Sequence, residues 1–325
     1  MAAMTTGFAE TGTRERTRTR RLAFARTRWF RLTTQLVLGG GVLVAVVARV
    51  GTKPFVHGLL SLDARSIGGA VLLCAVATGA SAWRWQFIAG RLGVGLPWTT
   101  AVALYYRSQF LNSVLPGGVL GDADRAVTHG RSVDSIGRAS RAIVIERSVG
   151  QAVQVALALV VLAFFGREFE GIVLAVVGAG LAVLVVPGIT AAAASARVRR
   201  ALRHERDELR AGLGTAAGFI GVAFASAVVV ACHVAILAIA TNAVGAHVPP
   251  DQLVPVALVV LLAASIPFNV GGWGPREGAA GWAFAVAGLG ASAGVAASTL
   301  YGVLTLISLA PGAIVFMTHR KEESS

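Results

Sequence analysis

The chain has 325 residues, of which 55% are hydrophobic and 14% are charged, and its formal net charge is +13. Soluble domains usually carry about 25% charged residues, so this composition excludes an ordinary soluble domain and indicates a surface that faces lipid. The basic residues lie in the N-terminal tail and in short segments between apolar stretches. They lack the interleaved aromatic residues of a base-stacking platform, which argues against a nucleic-acid partner.

The N-terminal segment 1–31 is rich in arginine and has no apolar core, so it is not a cleavable signal peptide. We expect a basic cytoplasmic tail that is disordered until near Trp29, where aromatic and arginine side chains would contact the membrane interface. Residues 32–318 then form a transmembrane domain, and residues 319–325 form a second cytoplasmic tail.

A transmembrane helix needs about 20 mainly apolar residues. Stretches that meet or approach this requirement are 32–50, 66–90, 143–165, 171–191, 213–241, 251–268, 278–290 and 294–317. We therefore predict an all-α fold: a polytopic integral membrane helical bundle of about eight transmembrane segments, within a range of six to eight, plus re-entrant segments. The number of spans around 251–290 stays open, because 278–290 is short and rich in glycine and alanine.

Short loops with many arginines alternate along the chain with loops that have few. The basic segments are the N-terminal tail, 122–141, 197–210 and the C-terminal end, whereas 51–65, 166–170 and 242–250 are poor in basic residues. Cytoplasmic loops carry the excess of lysine and arginine. This pattern predicts a cytoplasmic membrane as the location, with both termini on the cytoplasmic side.

The segment 97–121 does not fit as a span, because one crossing there would invert every later loop. It starts at Pro97-Trp98 and is interrupted at Pro116-Gly117-Gly118. We predict a re-entrant hairpin that enters from the cytoplasm and returns. Irregular backbone at membrane depth is tolerated where it is buried in protein or lines a watery cavity, so the break predicts a cavity.

A second break lies at 265–278, where two prolines and four glycines prevent a regular helix. Interrupted segments in both halves of a membrane protein are typical of a transporter-like binding site. Pro116 and Pro267, together with Gly271 and Gly272, are the residues that we expect to shape or gate such a site.

Ionisable residues at membrane depth cost at least about 2.5–3.5 kcal/mol and are usually functional. They cluster at the two breaks and at the start of the third predicted span: Arg107, Asp122, Asp124, Arg125, Glu146, Arg147, Arg276 and Glu277. Arginine with exposed glycine N–H groups suits an anionic oxygen such as phosphate. We therefore predict lipid or phosphate binding by a set of eight residues, which are Arg107, Asn112, Gly117, Gly118, Asp122, Arg125, Arg276 and Glu277.

Structural interpretations of the same charges stay open. Asp122 and Arg125 could simply pair with each other, and Arg276 and Glu277 could close the second break as an ion pair. Glu146 and Arg147, which we assign a structural or gating role, could pair with Asp122 or Arg125, or with each other.

No motif for a catalytic, nucleotide or metal site stands out, and we predict no catalytic residue, no metal and no cofactor. Asp122-Ala123-Asp124 spells the D-x-D of many glycosyltransferases, but three residues are a weak signal. Cys74 and Cys232 lie in apolar stretches, which indicates neither a disulfide framework nor a zinc site. His233, alone on an apolar helix, is typical of a hydrogen-bonded packing residue.

Three motifs in this order resemble the lysylphosphatidylglycerol synthase transmembrane (flippase-like) family. They are Gln109-Phe110-Leu111-Asn112 with Leu115-Pro116-Gly117-Gly118, Gly121-Asp122 and Arg125; then Glu146-Arg147; and finally Gly271-Gly272-Trp273-Gly274-Pro275-Arg276-Glu277-Gly278. The resemblance covers about residues 30–318. It implies a helical bundle with re-entrant segments around a lipid-accessible cavity.

The resemblance also implies a function, which is to translocate a phosphate-bearing lipid between membrane leaflets. The separate aminoacyl-transfer domain of the synthases has no counterpart within these 325 residues, so we expect no enzyme activity. Two other functions stay open: a membrane partner or regulator of a lipid or glycan biosynthesis enzyme, and an intramembrane glycosyl or headgroup transferase. The expected partners are anionic or phosphate-bearing membrane lipids, while the lipid, the direction, the energy source and the oligomeric state are not predicted.

Overall fold

The computed structural model describes residues 63–115, 118–165, 213–265 and 273–322, together with Phe169, Gly171, Leu174, Gly178 and Asp207. The tail 1–31 and the predicted spans 32–50 and 171–191 lie wholly or mostly outside these residues. So do Pro116, Gly117, Pro267, Gly271 and Gly272.

Nine α-helices are described. They are α1 (Ala64–Arg91), α2 (Trp98–Val114), α3 (Leu120–Ser132), α4 (Ile136–Phe165), α5 (Ala216–Ala243), α6 (Pro250–Ala264), α7 (Pro275–Val286), α8 (Ala291–Ser308) and α9 (Ala310–Glu322). Among the described residues, four stretches are long and apolar enough to cross a membrane: α1, α4, α5, and Ala291–Met317, which joins α8 to the first half of α9. The prediction of an all-α polytopic membrane bundle is confirmed.

Local sequence explains where several helices begin. Asp63 caps α1 by accepting a hydrogen bond from the N–H of Ser66 at 2.8 Å, as N-cap residues do. Proline opens α6 at Pro250 and α7 at Pro275, since a proline in the first turn loses no helical hydrogen bond. Gly274, just before α7, has a φ of +111°, which glycine adopts without steric strain.

The first predicted re-entrant segment is a hairpin of two helices, α2 and α3, which pack against each other. Its base lies where α1 ends and α4 begins, because the Gln86 side chain donates to the Leu96 carbonyl and Gly130 packs against Ile136. The returning limb is longer than predicted. It is α3, which continues to Ser132 through residues that we had assigned to a cytoplasmic loop.

The predicted spans 251–268 and 278–290 form a second hairpin, of α6 and α7. These helices have 15 and 12 residues, or about 22 and 18 Å at 1.5 Å per residue, and each is shorter than a hydrocarbon core of about 30 Å. The described part of 251–290 therefore holds two short helices, each shorter than a full span.

The two hairpins start from opposite ends of the bundle. Helices α1 and α5 run antiparallel, because Gly214 meets Arg91 at one end and Gly69 meets Ile239 at the other. The α2–α3 hairpin has its base at the Arg91 end. The α6–α7 hairpin has its base between the end of α5 and the start of α8, at the opposite end.

Candidate functional site

Two buried polar clusters lie beside the hairpins. The first, which we call the Glu146 cluster, contains Arg84, Tyr105, Arg107, Ser108, Asn112, Asp122, Asp124, Arg125, Glu146, Arg147 and Ser226. The second, the Arg276 cluster, contains Trp273, Gly274, Arg276, Glu277, Ser298 and Tyr301. Along α4, Glu146 lies ten residues, or about 15 Å, from the first residue of the helix.

Glu146 is the centre of the first cluster and has no exposed surface. Arg84 donates to its Oε1 through Nε at 3.0 Å and also forms a shorter contact through Nη2. Tyr105 donates to Oε1 at 3.1 Å, and Arg125 donates to Oε2 at 3.2 Å. Two guanidinium groups and a phenol thus offset the cost of burying this carboxylate.

Helix α5 supports Arg84 from the other side. The Nη1 of Arg84 donates to Ser226 Oγ at 2.8 Å. The guanidinium also packs against Gly150 of α4, where an added Cβ would lie 2.9 Å from Nη2. Arg84 therefore connects α1, α4 and α5, and its position depends on a glycine one turn beyond Glu146.

Asp122, in the first turn of α3, is held by several donors at once. Ser108 donates to it at 3.0 Å and Asn112 at 3.4 Å. Arg125 pairs with it at 3.2 Å and Arg147 at 2.6 Å. Because Arg147 is one of four partners, Asp122 would keep three if Arg147 moved away.

The hairpin limbs approach closely at Gly121. Its N–H donates to Asn112 Oδ1 at 2.8 Å, and a Cβ at this position would overlap the carbonyl oxygen of Ser108. Arg107 and Asp124 form a second link between the limbs, at 2.7 Å. The Arg107 guanidinium also lies 5.4 Å from the centroid of the Phe316 ring on α9.

Arg125 lies between two aromatic rings. Its guanidinium carbon is 4.5 Å from the Trp85 ring and 4.3 Å from the Tyr105 ring, a cation–π arrangement. Within the part of the chain that the structure describes, its Nε and Nη1 and the Trp85 Nε1 have no hydrogen-bond partner. Burial lowers the pKa of His129, so its neutral form is favoured beside the Arg125 cation.

The Arg276 cluster closes the second break. Arg276 donates through Nη2 to Glu277 Oε1 at 2.6 Å and through Nε to Ser298 Oγ at 3.1 Å. The other oxygen of Glu277 accepts from the Gly274 N–H at 2.6 Å. The rings of Trp273 and Tyr301 lie 5.3 and 5.1 Å from the guanidinium, and Gly302 leaves room for it, because a Cβ there would overlap Nη2.

The structure brings together most of the predicted residues that it describes. Asp122, Arg125, Glu146 and Arg147 form one network, with Glu146 paired to Arg125 and Arg147 paired to Asp122. Arg276 and Glu277 pair with each other, as the structural interpretation proposed. Gly118 lies in the turn before α3 with a φ of +60°.

Sequence reasoning missed several members of the clusters. Arg84 was not among the predicted site residues, although two helical turns separate it from Arg91 at the end of α1, and that depth was a usable signal. Tyr105, Ser226 and Ser298 gave no signal, because hydroxyl groups are common in membrane helices. His233 is hydrogen-bonded, as expected, with its Nδ1 2.9 Å from the Tyr301 hydroxyl.

The charge of the Glu146 cluster is suited to anion binding, whereas Arg276 and Glu277 balance each other in the Arg276 cluster. Four arginines face three carboxylates in the Glu146 cluster, which leaves an excess of positive charge. Among the described residues, no group of three His, Cys, Asp or Glu side chains is placed to hold a metal ion. Asp122 and Asp124 of the D-x-D sequence are each paired with an arginine.

Comparison with known proteins agrees with this architecture. The sequence model of the family described as the lysylphosphatidylglycerol synthase TM region matches residues 32–312, a range that contains both hairpins and both clusters. No individual curated protein matches the chain significantly. The chain belongs to the lysylphosphatidylglycerol synthase transmembrane-region family.

Proposed function

We propose that this protein translocates a phosphate-bearing lipid between membrane leaflets and catalyses no bond-making or bond-breaking step. One observation carries the proposal: the Glu146 cluster places an excess arginine charge inside a membrane bundle and leaves one guanidinium half exposed. That guanidinium belongs to Arg147, whose side chain is 46% exposed, whereas the other arginines of the cluster are at most 10% exposed.

Arg147 is also the arginine that can change partner at the lowest cost. A lipid phosphate would replace the Asp122 carboxylate at its guanidinium, and arginine suits this exchange because it binds both groups in a bidentate manner. Ser108, Asn112 and Arg125 would continue to hold Asp122. Membership of the family supports a role connected with lipids.

We further propose the cytoplasmic membrane as the location, with both termini on the cytoplasmic side. The end of the bundle that holds the base of the α2–α3 hairpin carries Arg91, Arg131, Arg138 and Arg141. Basic loops mark the cytoplasmic face. In this orientation the α2–α3 hairpin opens toward the cytoplasm.

The test is lipid translocation by the purified full chain in liposomes of phosphatidylcholine with phosphatidylglycerol that carries a fluorescent label. Wild-type protein should expose inner-leaflet label to a membrane-impermeant quencher. Arg147→Gln should slow the rate of translocation by about tenfold, or ~1.4 kcal/mol of activation free energy. Arg65→Gln, which removes an exposed arginine at the other end of the bundle, is the matched control and should behave as wild type.

Wild-type protein that moves no lipid would overturn the proposal. If it instead co-purified with a lipid or glycan biosynthesis enzyme, the partner or regulator function would replace translocation. Metal-dependent headgroup transfer would instead support the transferase function and would require Asp122 and Asp124 to leave their arginine partners.

A further inference from the structure

Helix α4 carries a polar stripe that starts at Arg147 of the Glu146 cluster and continues beyond that cluster. It consists of Arg147, Gln151 and Gln154, at spacings i, i+4 and i+7, which place them on one face of the helix. Arg147 and Gln151 are exposed and Gln154 is partly exposed. Exposed apolar residues such as Val160 and Phe164 show that much of the remaining exposed surface of α4 suits hydrocarbon.

Glutamine on an exposed face of a membrane span is costly unless its amide finds a polar partner. Helix α4 is among the stretches that can cross a membrane, and the Gln151 side chain forms no hydrogen bond with any residue that the structure describes. Its partner must then be water, a lipid headgroup, or a segment of the chain outside the described residues.

The stripe runs from one hairpin toward the other. At one end Arg147 pairs with Asp122 at the start of α3. At the other end Gln154 donates to Ser265 Oγ at 3.2 Å, where α6 ends and the second break begins. The seven residues from Arg147 to Gln154 cover about 10 Å along the helix.

A parallel connection exists inside the bundle on α5. Ser226 contacts Arg84 of the Glu146 cluster, and His233 contacts Tyr301 of the Arg276 cluster. Ser226 and His233 are also seven residues apart, or about 10 Å along the helix. The two clusters therefore lie at different depths in the bundle. The stripe on α4 spans the depth between them, on the exposed side of the bundle.

We propose that the face of α4 formed by Arg147, Gln151 and Gln154 is the path along which a phosphate-bearing lipid headgroup moves between the two hairpins. The occupant is identified by charge, because Arg147 is a cation and the next two positions are neutral amides that can donate to phosphate oxygens. The acyl chains would stay against apolar surface outside the stripe. The inference rests on the proposed function and adds the route that the lipid headgroup takes.

Charge variants at Gln151 test the path directly. Translocation of fluorescent phosphatidylglycerol should be about tenfold slower with Gln151→Glu than with Gln151→Lys, because a carboxylate repels phosphate whereas an ammonium group attracts it. A face that meets hydrocarbon or another helix would be damaged by either charge. Equal loss in both variants, or no loss in either, would overturn the path.

Thiol labelling tests the same face without relying on transport. In a chain with Cys74→Ala and Cys232→Ala, Gln151→Cys should react with a water-soluble cationic thiol reagent about tenfold faster than Val160→Cys, a control on the same helix off the stripe. Adding phosphatidylglycerol to phosphatidylcholine vesicles should slow that reaction.

The labelling result separates failure of the path from failure of the proposed function. If wild-type protein moved no lipid but phosphatidylglycerol still protected position 151, the proposed function would fail while headgroup binding at the stripe would stand. An unreactive Gln151→Cys would show that lipid chains or another segment of the protein cover this face, and the path would then be wrong.

Discussion

Glu146 is tolerated within a membrane span because the fold surrounds it with donors from helix α1 and from both limbs of the α2–α3 hairpin. Arg84 reaches it from α1, Tyr105 from α2 and Arg125 from α3. These partners lie 62, 41 and 21 residues away in sequence. A single carboxylate therefore fixes how α4 sits against the other three helices.

Glu146→Gln should strongly destabilise the protein. The amide removes the negative charge while Arg84 and Arg125 stay buried, and breaking a buried ion pair from one side costs about 3–5 kcal/mol. The free energy of unfolding, measured by denaturant titration in detergent micelles, should fall by that amount.

The matched control for this substitution is Asp134→Asn, which removes one negative charge at an exposed position. Its effect should stay within about 0.5 kcal/mol. Equal effects of the two substitutions would mean that the donors around Glu146 contribute little to stability.

At the scale of the elements, close backbone contacts hold the hairpins in place. Gly121 allows α3 to approach the Ser108 carbonyl of α2, and Gly294 allows α8 to approach the Ala280 carbonyl of α7. Gly312 likewise allows α9 to approach the Tyr106 carbonyl of α2. Small residues at helix contacts are typical of membrane bundles, where close packing replaces the hydrophobic effect.

Gly121→Ala should open the α2–α3 hairpin, because the new methyl group would overlap backbone that cannot rotate away. We expect a loss of about 2 kcal/mol in unfolding free energy, together with faster proteolysis between α2 and α3. Gly137→Ala is the control, since nothing lies within 4 Å of its Cβ position, and it should be neutral or stabilising by up to about 1 kcal/mol. If Gly121→Ala were as stable as this control, the close approach would not determine the packing of the hairpin.

Local signals in the sequence were sufficient to locate both breaks, although only the first was predicted as a hairpin. Proline and glycine at 116–118 and 265–278 act on the backbone next to them, so the breaks could be predicted. The pairing of Glu146 with Arg84 could not, because it depends on how α1 and α4 rotate against each other. The same reason explains why Arg276 was predicted to bind phosphate, although its guanidinium is engaged by Glu277 and Ser298.

For the molecule as a whole, the opposite directions of the two hairpins define its organisation. The Glu146 cluster is about 15 Å from one end of α4, and His233, which contacts the Arg276 cluster, is ten residues, or about 15 Å, from the opposite end of the bundle on α5. Each polar cluster is therefore nearer to one end of the bundle and lies at about half the depth of a membrane. A lipid headgroup that crossed this molecule would meet the half-exposed guanidinium of Arg147, whereas the guanidinium of Arg276 is buried against Glu277 and Ser298.

The orientation of the bundle in the membrane is open to a direct test. Gly137 is exposed beside Arg138 and Arg141 at the basic end, and Gln252 is exposed at the start of α6, at the opposite end. Because basic loops stay in the cytoplasm, Gln252→Cys should react with an impermeant maleimide added to intact cells, whereas Gly137→Cys should react only after the membrane is permeabilised. Cys74 and Cys232 are buried, so background labelling should be low. The reverse pattern would place the α2–α3 hairpin on the outer side and would contradict the proposed topology, while equal labelling of both positions in intact cells would indicate that the protein inserts in both orientations.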